Sequence, residues 1–324
     1  MIRKTRILVT DNTDPYHNLA LEEALLHSIE PGLAIFYLWQ NRNTVVIGRN
    51  QSAVDECRID LLTEDGGKLA RRLSGGGAVY HDLGNLNFTF LLPREDFDVN
   101  RQTEVILQAL RALGIPAERN GRNDLTASGR KFSGHAYYHA GDRSYHHGTI
   151  MLQVDREKMA RYLRVSPLKL AAKGVPSVRS RVVNLCELQP SLTKEELSAA
   201  LVDAFSACYV PAEKLAEEDL DAGLIRELQE KYAAEAFRFG HFHPMERMLE
   251  ARFSWGGVRL AYHADEGRIR ELSFASDGLA AEYLASVRDR LLGTALTEDS
   301  LRAALDGGDE EAQMAEDITN LILS

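Results

Sequence analysis

The stretch Arg71-Arg72-Leu73-Ser74-Gly75-Gly76-Gly77-Ala78-Val79-Tyr80-His81-Asp82 places two cations directly before a run of very small residues. Successive glycines let backbone N–H groups approach a phosphate or carboxylate closely, and they adopt positive φ without strain. Two arginines beside a buried turn are costly unless an anion or an acidic partner lies opposite them. The stretch therefore predicts an anion-binding loop, with a plain tight turn between two strands as the simpler alternative.

Three further motifs combine small or polar residues with a charge, each between apolar, strand-like runs. They are Gly121-Arg122-Asn123-Asp124-Leu125, Gly129-Arg130-Lys131-Phe132-Ser133-Gly134 and His146-His147-Gly148-Thr149. Together with the first stretch, and in this order, they make the chain closely resemble the lipoate-protein ligases. The resemblance extends from Asn18-Leu19-Ala20-Leu21-Glu22-Glu23 through the segment 173–181, and more weakly to the last residue.

The resemblance implies both a fold and an activity. The fold is α/β (α+β): a large catalytic domain of biotin/lipoyl-ligase type with mixed sheets and flanking helices, followed by a small C-terminal α/β accessory domain. The activity is ATP-dependent conversion of free lipoate, or octanoate, to an acyl-adenylate, and transfer of the acyl group to a lysine of a lipoyl-acceptor domain. The acceptors implied are dehydrogenase E2 subunits and the glycine cleavage H protein. ATP and Mg²⁺ are then substrate and ion, and no tightly bound prosthetic group is expected.

A site of this kind must hold a carboxylate and a phosphate together before they react, so it needs positive side chains and backbone N–H groups. Lys131 is the predicted catalytic cation, although a lone lysine is more often simply exposed. Asp124 is the predicted Mg²⁺ ligand, because one or two carboxylates plus phosphates usually hold this ion; an Asx turn is the alternative. The predicted ATP and lipoyl-AMP site comprises Arg72, Ser74, Gly75, Gly76, Gly77, Ala78, Val79, Tyr80, Asn123, Asp124 and Lys131. The predicted lipoate pocket comprises Leu73, His81, Ser133, Gly134, His147 and Gly148.

The composition is that of an ordinary soluble globular protein, with 44% hydrophobic and 27% charged residues among 324. The net charge of −10 argues against a general nucleic-acid binder, because phosphate-driven binding needs a basic surface. The N-terminus lacks a signal-peptide core, and no apolar run approaches the ~18 residues of a membrane span. Cys57, Cys186 and Cys208 have unrelated spacings, which argues against a disulfide framework or a zinc site. We expect a cytoplasmic protein with neither a nucleic-acid nor a membrane partner.

Charge is distributed unevenly along the chain. From Arg156 to Arg181 there are eight lysines and arginines against one acid, Glu157. Lipoyl-acceptor domains as a class tend to be acidic, so this basic run is the predicted docking surface for them. The alternative is a solvated helix face.

The hydrophobic periodicity predicts an α/β organisation. Asp14 is the predicted N-cap of a helix that begins at Pro15. The runs 34–39 and 44–47 are predicted to pair as strands. The runs 124–127, 131–139 and 144–154 are predicted to form a meander of hairpins, with Lys131 near the start of a strand.

The pattern breaks at 240–244, where we place a domain boundary. The sequence therefore predicts a catalytic domain over 1–240 and an accessory domain over 245–324. The second domain is predicted to begin with a helix, followed by two strands at 258–263 and 269–274 and by helices at 279–292 and from 297 onward.

Three alternative functions stay open from the sequence. Octanoyl or lipoyl transferases and amidotransferases of this fold use a cysteine thiolate and need no ATP, and one branch carries that cysteine shortly before the lysine. The segment 121–128 contains no cysteine. A biotin ligase has a different adenylate loop, and a non-catalytic lipoyl-binding module would not need Arg72, Asp124 and Lys131.

Overall fold

The computed structural model of this chain describes residues 1–120, 124–164, 182–240, 245 and 247–324. Its strands are β1 (Lys4–Val9), β2 (Leu33–Trp39), β3 (Thr44–Ile47), β4 (Lys68–Arg71), β5 (Val79–His81), β6 (Asn85–Pro93), β7 (Ala117–Asn120), β8 (Asp124–Ala127), β9 (Arg130–Ala140), β10 (Arg143–Met151), β11 (Glu213–Lys214), β12 (Arg247–Phe253), β13 (Gly256–Asp265) and β14 (Arg268–Ser276).

The helices in the same ranges are α1 (Pro15–His27), α2 (Ala53–Glu56), α3 (Ile59–Glu64), α4 (Val99–Ala112), α5 (Arg156–Tyr162), α6 (Leu185–Leu188), α7 (Lys194–Cys208), α8 (Ala222–Ala233), α9 (Glu235–Phe239), α10 (Ala281–Leu291), α11 (Glu298–Leu305) and α12 (Ala312–Leu323), with 3₁₀ turns at Arg94–Asp96 and Glu217–Asp219. None of these helices is both long enough and apolar enough to cross a membrane.

A large mixed sheet forms the centre of the chain, with the strand order β11-β1-β2-β6-β10-β9-β8-β7. Helices α4 and α7 cover one face, where residues such as Val105, Leu201 and Phe205 pack in one core cluster. Helices α1 and α8 cover the other face, where Leu21 and Leu228 belong to a second cluster. Both faces are therefore buried, which explains why all seven residues of β2 and all nine of β6 are buried.

A small sheet with the order β4-β3-β5 is separate from the large one. Strand β3 pairs in parallel with β4 and antiparallel with β5. Val45, Tyr80 and Tyr162 help to form a third cluster that joins this sheet to α5. The glycine-rich stretch lies between β4 and β5, so this sheet fixes both of its ends.

The last part of the chain folds around its own core. Strands β12, β13 and β14 form an antiparallel sheet, and α10, α11 and α12 supply residues such as Leu284, Leu301 and Ile318 to the same apolar cluster. The mixed α/β fold predicted from the sequence is confirmed. The boundary at 240–245 stays a prediction, because most residues around it lie outside the described ranges.

Several local predictions are confirmed: Asp14 caps α1, and β8, β9 and β10 form the expected meander. Two are wrong. The runs 34–39 and 44–47 do not pair, because β1 and β6 occupy both edges of β2. The segment after 245 does not begin as a helix, because pairing with β13 along its whole length makes 247–253 a strand.

Candidate active site

The loop of residues 74–78, called here the glycine loop, is shaped from within by Arg72. The Arg72 guanidinium donates to the carbonyl oxygens of Gly75 (2.6 Å), Gly77 (2.8 Å) and Val46 (3.2 Å), and its Nε donates to Ser74 Oγ at 3.0 Å. Burial lowers the pKa of Arg72 to about 10, so the side chain keeps its charge at neutral pH. Gly76 has φ +87°, a backbone conformation that side-chain-bearing residues rarely adopt.

The preceding arginine has a different role. Arg71 donates to the carbonyl oxygens of Gly48, Arg49 and Gln51 and to those of Phe237 and Arg238. It is buried, and burial lowers its pKa to about 10. Arg71 therefore holds α9 against the loop after β3 and does not line the cavity described next.

A cavity of about 880 Å³ lies between the glycine loop and the large sheet. Its floor crosses five neighbouring strands in one row: Trp39 pairs with Asn87, Asn87 with Thr149, the Gly134 amide donates to Thr149 Oγ1, and Gly134 pairs with Asp124. Four inter-strand steps of about 4.8 Å give the row a length of about 19 Å. The cavity is therefore long enough for an extended ligand.

The two ends of the row differ in exposure. At the buried end, the cavity wall contains residues at most a few per cent exposed, namely Leu19, Trp39, Val46, His81 and Asn87. At the exposed end, it contains charged or polar residues that are partly or fully exposed, namely Asn120, Asp124 and Lys131. The cavity thus offers a dry end and a charged, solvated end to the same ligand.

Lys131 and Asp124 form an ion pair at the exposed end, with Nζ 2.7 Å from Oδ1. Each side chain keeps about a quarter of its surface exposed. The Lys131 backbone is fixed from both sides, because Lys131 pairs with Thr126 in β8 and its carbonyl oxygen accepts from Val183 N at 2.9 Å. A Cβ at Gly134 would lie 2.8 Å from Lys131 Nζ, so the glycine leaves room for the ammonium group. The cation is mounted on rigid scaffold, as the sequence predicted.

His147 connects the glycine loop to the opposite wall. Its Nε2 lies 2.7 Å from Ser74 Oγ, and its Nδ1 lies 2.9 Å from Glu22 Oε1 on α1. The same carboxylate oxygen accepts from Thr89 Oγ1 at 2.7 Å. This buried array joins α1, β6, β10 and the glycine loop.

Residues of the C-terminal part complete the cavity. The amide of Gly76 donates to the carbonyl oxygen of Gly278 at 3.1 Å, and Leu279, Trp255 and Asp277 line the wall. A Cβ on Gly75 would lie only 2.3 Å from the Gly278 oxygen, so this close approach requires glycine. In this conformation the C-terminal sheet domain lies directly over the glycine loop.

The comparison with known families now adds to this geometry. The family model of the lipoyl protein ligase A/B catalytic domain matches residues 14–206, and that of the bacterial lipoate protein ligase C-terminus matches residues 244–323. This chain belongs to the lipoyl protein ligase A/B family.

Solved structures agree with that assignment. LipL1 of P. falciparum, crystallised in complex with lipoate, is 26% identical, with a TM-score of 0.86 over 98% of this chain and 99% of that one. A bipartite lipoate protein ligase from Thermoplasma acidophilum, studied with its E2 lipoyl domain, is 29% identical, with a TM-score of 0.65 over 75% and 98%. Lipoate-protein ligase A bound with ATP is 28% identical, with a TM-score of 0.64 over 74% and 99%.

The structure brings most of the predicted site residues of this family member to one cavity. The wall includes Arg72, Gly76, Gly77, Ala78, Val79, Tyr80, His81, Asp124, Lys131, Gly134, His147 and Gly148. Ser74, Gly75 and Ser133 lie just behind the wall, where Ser133 Oγ contacts His135 Nε2 at 3.0 Å. Leu73 packs in the core beside α1, and Asn123 lies outside the described residues.

Sequence reasoning missed several residues of the wall or its support: Glu22, Trp39, Asn85, Asn87, His135, Trp255 and Leu279. A signal for some of them was present. Asn85, Asn87 and Thr89 alternate with apolar residues in β6, and Glu22 and Glu23 interrupt the apolar run from Leu19 to Leu26 in α1. Trp255 and Leu279 carry no such signal, because another part of the chain brings them to the site.

The three cysteines lie within the described residues, and none of them lines the cavity; Cys57 is buried behind its wall, where it pairs with Leu163. Burial raises the pKa of the Cys57 thiol to about 12, and burial also raises the pKa values of Cys186 and Cys208. A thiol with a raised pKa is a poor nucleophile at neutral pH, because the thiolate is the reactive form.

Proposed function

We propose that this chain activates free lipoate with ATP to form lipoyl-AMP and then transfers the lipoyl group to a lysine of a lipoyl-acceptor domain. The observation that carries the proposal is the Lys131–Asp124 pair at the charged end of a cavity whose other end is dry. The lipoate and ATP bound by similar proteins support it. The E2 lipoyl domain studied with the archaeal ligase supports a lipoyl domain as the acceptor.

The two ends of the cavity suit the two parts of an acyl-adenylate. A lipoyl chain is apolar and gains most from the buried end beside Leu19, Trp39 and Val46. The nucleotide and its phosphates carry charge and suit the end beside Lys131. This orientation puts the lipoate carboxylate between the two ends, next to the phosphates.

In the first step, a carboxylate oxygen of lipoate forms a bond to the α-phosphorus of ATP, and the bond to pyrophosphate breaks. Both reactants are anions, so their approach is opposed by repulsion. The Lys131 ammonium reduces this repulsion and stabilises the charge that grows on the α-phosphate oxygens. Asp124 holds the ammonium in place through their ion pair.

In the second step, the amine of the acceptor lysine attacks the acyl carbon, and AMP leaves as the amide forms. The adenylate already supplies an activated carbonyl, so no covalent enzyme intermediate is needed. None of the three thiols lines the cavity, and burial raises the pKa values of all three, which supports this route over a thiolate-dependent transferase.

The Mg²⁺ that accompanies ATP would be held by Asp124 together with phosphate oxygens. Within the described ranges, no group of three or more histidine, cysteine or acidic side chains is placed to hold a metal ion. A single carboxylate fits Mg²⁺, which usually takes one or two carboxylates plus substrate phosphates and water. The ion would supply charge neutralisation at the phosphates.

We also propose that the C-terminal domain covers the adenylate and moves aside for the acceptor. Gly278 and Leu279 already lie against the glycine loop, and Trp255 lines the same cavity. Covering the site excludes water, and water would otherwise hydrolyse an acyl-adenylate.

The decisive experiment is lipoate-dependent exchange of labelled pyrophosphate into ATP, followed by mass analysis of an acceptor domain incubated with lipoate, ATP and Mg²⁺. The proposal expects exchange and a lipoylated lysine. A variant with Cys57, Cys186 and Cys208 all replaced by alanine is the control, and it should keep the activity. Acyl transfer without ATP, lost in the cysteine-free variant, would instead assign the chain to the transferases.

A further inference from the structure

The buried end of the cavity contains two N–H donors without acceptors among the described residues. Asn87 Nδ2 and His81 Nε2 are both buried and have no hydrogen-bond partner. The other amide atom of Asn87 is satisfied, because its Oδ1 accepts from Asn85 Nδ2 at 2.9 Å. Unpaired buried donors are rare in folded proteins, and each one calls for an explanation.

A chain of hydrogen bonds determines that His81 Nε2 carries a proton. Asn18 Nδ2 faces the carbonyl oxygens of Asn12 (2.9 Å) and Gln40 (2.8 Å), which can only accept. Its two N–H groups are shared among these carbonyls and Asn41 Oδ1 at 3.1 Å, and Asn41 presents its oxygen here because an amide nitrogen cannot accept. The other amide atom of Asn41 is therefore the nitrogen that lies 3.2 Å from His81 Nδ1. His81 Nδ1 must therefore accept. Burial lowers the pKa of His81 to about 3, so the ring is neutral at pH 7 and its one proton is on Nε2.

These donors affect ligands differently according to the chemistry of the ligand's end. A saturated alkyl chain would fill the buried end and leave both N–H groups dry and unpaired. Sulfur is a weak acceptor and is polarisable, so a dithiolane ring would partly satisfy them in the same space. Trp39, Leu19 and Val46 around them give both kinds of chain the same apolar contact.

We propose that His81 and Asn87 make the buried end selective for the sulfur-containing ring of lipoate over the saturated end of octanoate. This inference rests on the proposed function, since it assumes that the acyl chain occupies the buried end. His81 and Asn87 are then specificity-determining residues.

The first test varies the ligand and leaves the protein intact. Calorimetry would compare lipoate, octanoate and cyclopentylpentanoate, which keeps the five-membered ring of lipoate and replaces both sulfurs with carbon. We expect lipoate to bind roughly tenfold more tightly than the carbocyclic analogue, a factor equal to about 1.4 kcal/mol. Equal binding of these two acids would overturn the inference.

The second test removes one of the two donors. In Asn87→Leu, octanoate and the carbocyclic analogue should bind more tightly while lipoate does not, so that the selectivity falls toward one. Damage to the fold would weaken all three acids together, and an unchanged ratio among them would overturn the inference. Thr126→Val is the matched control, because Thr126 Oγ1 is also buried, unpaired and in a cavity-lining residue, but at the other end. This control should leave the ratio unchanged.

Failure of the proposed function gives a different result. If the wild-type protein binds none of the three acids and shows no pyrophosphate exchange, the proposed function is wrong, and the inference is overturned with it. If the acids bind and exchange occurs without any preference for lipoate, the proposed function stands and the inference alone fails.

Discussion

Ser74 Oγ lies 2.7 Å from His147 Nε2, so a single hydrogen bond joins the glycine loop to the large sheet. His147 Nδ1 donates to the Glu22 carboxylate at 2.9 Å, and this bond orients the ring so that Nε2 faces the serine hydroxyl. All three side chains are buried. The arrangement of serine, histidine and carboxylate thus positions the loop on which the cavity depends.

Replacement of His147 with alanine should therefore both loosen the loop and destabilise the fold. The change removes His147 as a partner of the buried Ser74 and Glu22, which keep their bonds from Arg72 and Thr89, at a cost of about 1–3 kcal/mol. Urea unfolding would measure the cost, and pyrophosphate exchange would measure the loss of activity. His139→Ala is the matched control, because His139 Nδ1 forms a similar bond to Ser144 Oγ (2.6 Å) at the far end of the β9–β10 hairpin. Equal effects of the two variants on exchange would contradict the positioning role of His147.

Lys131→Ala should leave the protein folded and reduce lipoyl-AMP formation by about 10²–10³-fold or more, because the lost charge interaction is realised mainly in the transition state. Single-turnover adenylate formation is the measurement. Arg130→Ala is the control, since the neighbouring cation is more exposed and pairs with Glu187 at 3.4 Å. A folded Lys131→Ala protein with near-normal adenylation would falsify the assignment.

Stability should fall as the pH decreases from 6.5 toward 5. Burial lowers the pKa values of His81 and His135 to about 3 and that of His146 well below its usual range. The unfolded chain then binds more protons than the folded one in this window, so the free energy of unfolding falls by up to about 1.4 kcal/mol per pH unit for each histidine. This window lies above the range in which most carboxyl groups titrate.

Chemical denaturation at half-unit pH steps would measure this slope. His135→Gln should reduce the slope by about the contribution of one histidine, because it removes one of the three rings whose pKa values are lowered. A flat stability profile between pH 6.5 and 5 would contradict the lowered pKa values of these rings.

Gly75→Ala should displace the C-terminal domain from the glycine loop. The new Cβ would lie 2.3 Å from the Gly278 carbonyl oxygen and 2.9 Å from Leu279, and both contacts involve backbone. Hydrogen exchange in the ligand-free protein should show faster exchange of the Gly76 amide, which now donates to Gly278. Gly77→Ala is the control, because a Cβ there meets nothing within 4 Å.

The same Gly75 variant tests the proposed cover. Adenylate that forms in it should be hydrolysed faster, while transfer from supplied lipoyl-AMP should suffer less. If both steps decline equally in a folded protein, the C-terminal domain does not have a separate protective role.

The basic run from Arg156 is described as far as Arg164, and residues 165–181 lie outside the described ranges. Its first part is the amphipathic helix α5, with Met159 and Tyr162 buried and Lys158 and Arg161 exposed. Lys158→Glu combined with Arg161→Glu should slow transfer to an acidic acceptor on the order of tenfold at low salt and flatten its salt dependence. Arg164 is unsuitable for this test, because it lines the cavity.

Adenylation should be unchanged in that double variant, which separates docking from chemistry. Arg226→Glu on the exposed side of α8 is the control for a change in net charge. If the rate of transfer is unaltered across a salt series, the docking prediction is wrong and the basic run is a solvated helix face.

The sequence predicted those features that depend on neighbours along the chain. Asp14 caps α1 because its side chain reaches the amides of the first helical turn. The β8–β9–β10 meander follows from short turns between apolar runs, and these place Lys131 on a strand. The glycine stretch and its arginines predicted a loop at the site, because a loop's backbone freedom is a local property.

Long-range contacts decided the rest. The strand at 34–39 could have paired with that at 44–47, but β1 and β6 occupy both of its edges. The local sequence does not indicate which of several strands will pair with a given edge. The Arg72 guanidinium donates to carbonyl oxygens of the loop because the fold buries this side chain. Trp255 and Leu279 reach the cavity from a separate part of the chain, and the tautomer of His81 follows from bonds passed through Asn18 and Asn41. Sequence alone therefore determined the family and the candidate chemistry. The charge, burial and hydrogen bonds of each group at the site were decided only by the tertiary structure, because they depend on atoms brought together from distant positions in the chain.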